Sequence, residues 1–155
     1  QTRKGQQWYF GMKMHIGVDS QSGLVHSAVV TAANVHDKHP LPDLLHGNER
    51  RVYGDSAYAS QKELIQGKAP NALDFTNERT RKAGCEVDEV KKAKNRNKSR
   101  IRARVEHVFA VVKRLWGFDK VRYRGLAKNA TRAFLTLAMA NIYLARGPLL
   151  QQVRA

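Results

Sequence analysis

FGMKMHIGVDSQSGLVHSAVVT, residues 10–31, opens with strict two-residue alternation. Successive side chains of a strand point to opposite faces. Phe10, Met12, Met14, Ile16 and Val18 therefore share one face, and Gly11, Lys13, His15 and Gly17 the other, which predicts a strand with one buried side. The cluster DSQSG, Asp19 to Gly23, is turn chemistry: Asp bonds its own backbone and Gly accepts turn dihedrals. LVHSAVVT, Leu24 to Thr31, is a second strand, so the pair reads as a β-hairpin.

Working outward, a short helix is predicted from Asp37 or His39 to His46, with Asp37 as its cap and Pro40 and Pro42 in the first turn or the loop before it. A short strand at Val52 and Tyr53 ends near Asp55. SQKE, Ser60 to Glu63, has capping-box spacing and opens a helix through Ile65 that closes near Gly67. ALDFT, Ala72 to Thr76, is a further strand candidate. Residues 77–97 are polar and charged and are expected to form a mobile loop or a loosely held helix. A long helix comes next, from Lys98 to Leu115, stopped by Gly117. After it lies a linker in which Phe118, Val121 and Tyr123 alternate. The last long helix covers Leu126 to Gly147. Strands and helices in this order predict one α/β (α+β) domain over residues 1–155, with a mixed sheet flanked by helices and two long C-terminal helices.

Charge is distributed unevenly. Residues 1–89 carry 11 basic and 11 acidic side chains; residues 90–155 carry 17 and 2. The whole excess of +15 thus lies in the C-terminal part. A one-sided excess of this size points to a polyanion, most simply nucleic acid, with a solvated basic surface as the alternative. The basic residues share helices with apolar ones, unlike a tail. Lys91 to Arg104 holds eight basic residues and no acid. Lys98, Arg100, Arg102 and Arg104, with Arg122, Arg124 and Lys128, are the candidates for phosphate contacts. The single cysteine, Cys85, excludes an internal disulfide and a cysteine-based metal knuckle. The longest nearly apolar run, Ala133 to Ala145, is about 13 residues, short of the ~20 a membrane helix needs. No signal peptide is visible, so a cytoplasmic, nucleoid-associated protein is expected. The chain opens on Gln1 and enters a strand pattern almost at once, as a fragment of a longer protein would.

Within the basic half, Glu106 is the one acid between Val90 and Phe118. At about 100° per residue, Ile101, Val105, Val108, Val112 and Leu115 form an apolar stripe that packs on the sheet. Arg102, Glu106, Phe109 and Lys113 form a second row beside it, which sets Glu106 at the rim of the buried face. An ion pair with Arg102 at i−4 is one use for it, worth about 0.3–0.5 kcal/mol. The other is a site with a second acid. Asp55 follows an apolar strand, and sites of α/β sheets collect at strand ends; it can equally be a plain turn residue. Two such carboxylates, expected within about 8 Å of each other, suit a hard cation, Mg²⁺ or Mn²⁺, of the kind that drives phosphodiester chemistry. His15 and His36 are weighed as site-lining or solvent-facing, His107 as a DNA-contacting or packing residue. Glu86, Asp88 and Glu89 read as a solubilising cluster, and Trp8 and Trp116 as core or rim aromatics.

GQQWYFGMKMHIGVDSQSGLVHSAVVTAANVHD, VYGDSAYAS, IRARVEHVFAVVKRLWGFDKVRYRGLAKNATR and LTLAMANIYLARGPLL, in this order, resemble the DDE transposases of bacterial insertion sequences, specifically the insertion-sequence-five type of the four/five superfamily. The resemblance covers most of the chain. It implies an RNase H-like catalytic fold in which two metal ions, held by Asp, Asp and Glu, serve cutting at transposon ends and joining to target DNA. It also implies a homodimer as the working form. By position, GDSAY supplies the second aspartate, Asp55, and the long helix supplies Glu106. The signature Tyr-x2-Arg-x3-Glu-x6-Lys is matched by Arg102, Glu106 and Lys113, which implies that Arg102 and Lys113 flank the glutamate and face DNA phosphates, while Ser99 stands in the tyrosine place. The first aspartate of the family lies on a strand before the hairpin. No acid precedes Asp19, and Asp19 itself reads as the hairpin turn. With its first strand apparently missing and two of three ligands present, the chain is expected to bind DNA without cutting it. The alternatives are a non-catalytic DNA-binding remnant of a transposase and a basic RNA-binding protein.

Overall fold

The computed structural model describes residues 2–9, 11–58, 60–78 and 89–154. A short antiparallel hairpin comes first, β1 (Thr2–Lys4) with β2 (Gln7–Tyr9), which was not legible as a separate pair in the sequence. The predicted hairpin is β3 (Met12–Val18) with β4 (Val25–Ala32), antiparallel, with a register irregularity between Gly17 and Val18. Then come α1 (Leu41–Leu44), β5 (Arg51–Val52), a 3₁₀ turn at Ser56–Tyr58, α2 (Lys62–Lys68) and β6 (Leu73–Asp74). The chain ends in α3 (Glu89–Phe109), a π-helical turn at Ala110–Leu115, α4 (Leu126–Leu144) and α5 (Arg146–Arg154). The mixed α/β class with long C-terminal helices is present and is consistent with an RNase H-like domain. Among the described residues its strands form three two-stranded pairings, not one continuous sheet.

Two compact units divide the chain, Gln1–His36 with Val105–Ala155, and Asp37–Arg104. In the first, α4 lies on the β3–β4 hairpin. Val108, Val112, Leu137 and Ala140 form the buried core, with Met14, Ile16 and Val18 from the predicted face of β3 packed against it. Burial of each large side chain contributes about 1.5–3 kcal/mol. Asn141 of α4 acts as a short stretch of neighbouring strand: its amide donates to the Val25 carbonyl and its carbonyl accepts from the Val25 N–H, both at 2.8 Å. The edge of β4 is satisfied there by a helix side chain. The other face of β3 differs from expectation. His15 is only 8% exposed and pairs with the Thr31 hydroxyl at 2.9 Å, and Lys13 donates to the Val35 carbonyl at 2.9 Å. Asp19 does form the turn: its carboxylate accepts from the Gln21 and Ser22 N–H groups and the Ser22 hydroxyl. Those Ser22 bonds, backbone first, hold its pKa below the usual value.

The apolar stripe of the long helix is only partly realised. Val108 and Val112 are fully buried, but Leu115 is 57% exposed. The π turn is the cause. Trp116 N–H bonds back to the Val111 carbonyl, five residues away, so the turn is wider than an α turn and rotates Leu115 off the stripe. Gly117 then takes φ 62°, which a side chain resists, and the helix stops as predicted. The last predicted helix is broken: α4 ends at Leu144, Ala145 caps it, and α5 leaves at a 58° bend. Among the described residues no single helix is long and apolar enough to cross a membrane.

In the second unit Leu41, Val52, Ile65, Ala69 and Ala72 make the core. β5 and β6 pair in parallel, and the ladder is extended by Phe75 N–H to the Val52 carbonyl and Asn77 N–H to the Gly54 carbonyl. Two predictions fail locally. α1 is shorter than predicted, and its N-cap is Pro40, not Asp37. Proline has the fixed φ of a first turn and lacks the N–H that a cap would serve. The capping box at Ser60 does not form; α2 starts one residue later with Gln61 at its cap, and Gln61 donates to the Ser60 hydroxyl instead. Of the two alternatives for 77–97, the helix is realised from Glu89 onward as the first turns of α3; residues 79–88, including Cys85 and the Glu86–Asp88 acids, lie outside the described residues. Lys, Ala and Arg are good helix formers, and Glu89 pairs with Lys92 one turn on. Asn95 fixes this half of the helix by bonding both the N–H and the carbonyl of Glu78.

Candidate functional site

Asp55 stands at the end of β5, one residue after Gly54. A Cβ on Gly54 would come within 3.1 Å of Thr76 Cγ2 and 3.2 Å of Tyr58 Cδ2, so glycine is what lets the chain turn there. One carboxylate oxygen of Asp55 accepts the Ala57 N–H at 2.8 Å, and its carbonyl accepts the Tyr58 N–H at 3.1 Å. Asp55 thus caps the 3₁₀ turn, as its turn reading required. The cap uses one oxygen and leaves the other for a further partner, and the residue is exposed.

Tyr58, three residues on, escaped the sequence reading. Its hydroxyl is pushed up to about 12 by burial first and then by the charges of Asp37 and Asp55. Asp37 and Asp55 thus both act on the Tyr58 phenol. The signal was the spacing in GDSAY: a tight turn after Asp brings the residue three positions on back toward it. Because the folded pKa is raised, the neutral phenol favours the fold; that stability is intact below pH ~10 and is lost as pH rises from ~10 through ~12. Asp55→Asn is expected to lower the Tyr58 ionisation slightly from about 12, because burial and Asp37 still hold it up, measured as the difference in ultraviolet titration against Tyr58→Phe. An unmoved curve would place the Asp55 charge away from the phenol.

Glu106 lies on α3 and is exposed, not half-buried at a rim. The π turn comes directly after the helix it sits on and leaves the apolar side to Val108 and Val112. The Arg102 pairing is not made; Glu106 has no ion-pair partner among the described residues. The last two members of its row do meet, with Lys113 Nζ 4.7 Å from the centre of the Phe109 ring. Ser99 accepts a hydrogen bond from Asn77 at 3.1 Å, and the buried Asn77 Oδ1 has no partner among the described residues. Among the predicted phosphate contacts, Arg100, Arg104, Lys113, Arg122, Arg124 and Lys128 are exposed and Arg102 partly so. Lys98 is turned inward and donates to the Thr76 carbonyl at 2.9 Å, an internal use that sequence could not show. Asp55 falls in the 37–104 unit and Glu106 in the other. Among the described residues no group of three or more His, Cys, Asp or Glu side chains is gathered as a metal cage.

The chain matches the protein family described as Transposase DDE domain over residues 1–142. No solved structure matches it significantly.

Proposed function

Because the chain belongs to the DDE transposase family, we propose that Asp55 and Glu106 are two of its acidic metal ligands, in a transposase of the insertion-sequence-five type that cleaves and joins DNA strands. The observation that carries this is the donor set. Asp55 holds one oxygen free of its turn, and Glu106 is an exposed carboxylate with no ion-pair partner among the described residues, in a strongly basic helix. Carboxylate oxygens are the ligands Mg²⁺ and Mn²⁺ select. When bound, such ions activate the attacking oxygen and stabilise the leaving one. The protein's own part is positional. Gly54 and the Ala57 N–H orient Asp55, α3 presents Glu106 beside the partly exposed Arg102, and Lys113 on the π turn holds the DNA backbone. In this reading the working form is a homodimer on the nucleoid, in the bacterial cytoplasm.

The test uses Fe²⁺ in place of Mg²⁺, with ascorbate, so that radicals cut the polypeptide beside the metal. Fragments are expected to end near Asp55 and near Glu106, and both cuts should disappear in Asp55→Asn. Cuts elsewhere, or cuts indifferent to Asp55→Asn and Glu106→Gln, would sink the assignment. Lys113 gives a separate check. Lys113→Ala should weaken binding about equally across DNA sequences and reduce the slope of log affinity against log salt by about one. An unchanged slope would mean that Lys113 meets Phe109 but no phosphate.

A further inference from the structure

Between the π turn and α4, unit 1 has an open groove of about 680 Å³ whose lining mixes rings and cations. Trp116, Phe118, Tyr123 and Leu135 supply apolar surface, and Lys128 and Arg132 supply charge. Three features fix it in place. Trp116 is braced edge-on against Tyr143, centroids 5.9 Å apart. The Arg132 guanidinium lies 4.4 Å over the Phe118 ring and also donates to the Lys120 carbonyl. The backbone carrying Tyr123 is held by the buried Asn129, which accepts from the Tyr123 N–H and donates to the Tyr123 and Gly125 carbonyls. Yet Tyr123 is 50% exposed and Trp116 38%. A braced indole and a ring on a pinned backbone, both left open to solvent, form a prepared stacking surface.

We propose that this groove binds a segment of single-stranded DNA, its bases stacked on Tyr123 and Trp116 and its phosphates on Lys128 in the lining, with the exposed Arg122 and Arg124 beside Tyr123 in the chain adding positive charge. Charge complementarity selects this occupant. A second copy of the chain would bring a like set of cations against Lys120, Arg122, Arg124, Lys128 and Arg132. A polyanion with flat apolar bases satisfies both halves of the lining. Duplex DNA offers the phosphates but keeps its bases stacked inside. The inference deepens the proposed strand cleavage and rests on it for its purpose, since cutting frees strand ends that must be held.

The experiment needs no metal and no cleavage, so it is independent of Asp55 and Glu106. The 155-residue chain carries Trp8→Phe, leaving Trp116 as the only indole, and is titrated in EDTA with oligothymidylate of about 12 nucleotides, within the ~4–16 that one such platform covers. Inorganic polyphosphate serves as the polyanion without bases. Oligothymidylate should quench Trp116 while polyphosphate binds without quenching. Tyr123→Ala should weaken oligothymidylate about tenfold and leave polyphosphate unchanged; Tyr123→Phe should retain the affinity. Equal losses for both ligands, or binding without quenching, would overturn the groove and leave the general DNA role standing. No binding of either ligand or of duplex would overturn both. Markedly tighter binding of oligouridylate would overturn the DNA assignment. A dimer broken by Leu135→Glu and indifferent to oligothymidylate would assign the groove to a second copy.

Discussion

The affinity of the chain for duplex DNA should fall by about 10³ between about 50 and 200 mM monovalent salt. Six of the predicted phosphate contacts are exposed on the helices and the linker: Arg100, Arg104, Lys113, Arg122, Arg124 and Lys128. Each neutralised phosphate releases condensed counterions and adds about 0.9 to the slope of log affinity against log salt, so six give a slope of about −5. Lys98 is left out because its ammonium is already bonded to the Thr76 carbonyl; Lys98→Ala should leave the slope where it is. Fluorescence anisotropy on a labelled duplex at graded salt measures both. A slope near −1 or −2 would mean that the basic excess is mostly a solvated surface.

The second large effect is on stability. Leu137→Ala is expected to cost about 2–5 kcal/mol. Leu137 is one of the four residues at the centre of the first unit, with Val108, Val112 and Ala140, where α4 meets the hairpin. Small domains are stable by only about 5–15 kcal/mol, so the loss is a large part of the total. Leu135, two positions earlier on the same helix, is exposed; Leu135→Ala should stay within about 0.5 kcal/mol. Urea unfolding of the two variants compares them directly. Equal shifts would mean that α4 is turned differently on the hairpin.

That pair of leucines also shows how far sequence reaches. The run from Ala133 to Ala145 is so uniformly apolar that periodicity does not say which side faces the hairpin; Asn141, bonding Val25 across 116 residues of chain, is one contact that decides it. The candidate site divides in the same way. GDSAY and the spacing Arg102, Glu106, Lys113 were legible, because a turn after a strand and a row on a helix are local matters. The inward use of Lys98 and the grouping of Asp37 with Tyr58 were not, because each depends on a partner distant in sequence, nor was the exposure of Glu106, because it depends on which side of the helix the core takes up.

By itself the sequence determined the β3–β4 hairpin, the turn at Asp19, the long helix through Glu106 with its stop at Gly117, and the concentration of positive charge after residue 89. All of these come from side-chain period, turn chemistry or composition, which act within a few residues of one another. Tertiary structure alone decided where α1 and α2 begin, which of the two alternatives holds between Glu89 and Asn97, that the helix widens into a π turn at Ala110, and that β5 pairs with β6. Those outcomes turn on which competing backbone and side-chain bonds are satisfied once distant segments pack together. A capping motif such as Ser60–Glu63 is only an offer of hydrogen bonds, and here the packed chain takes another.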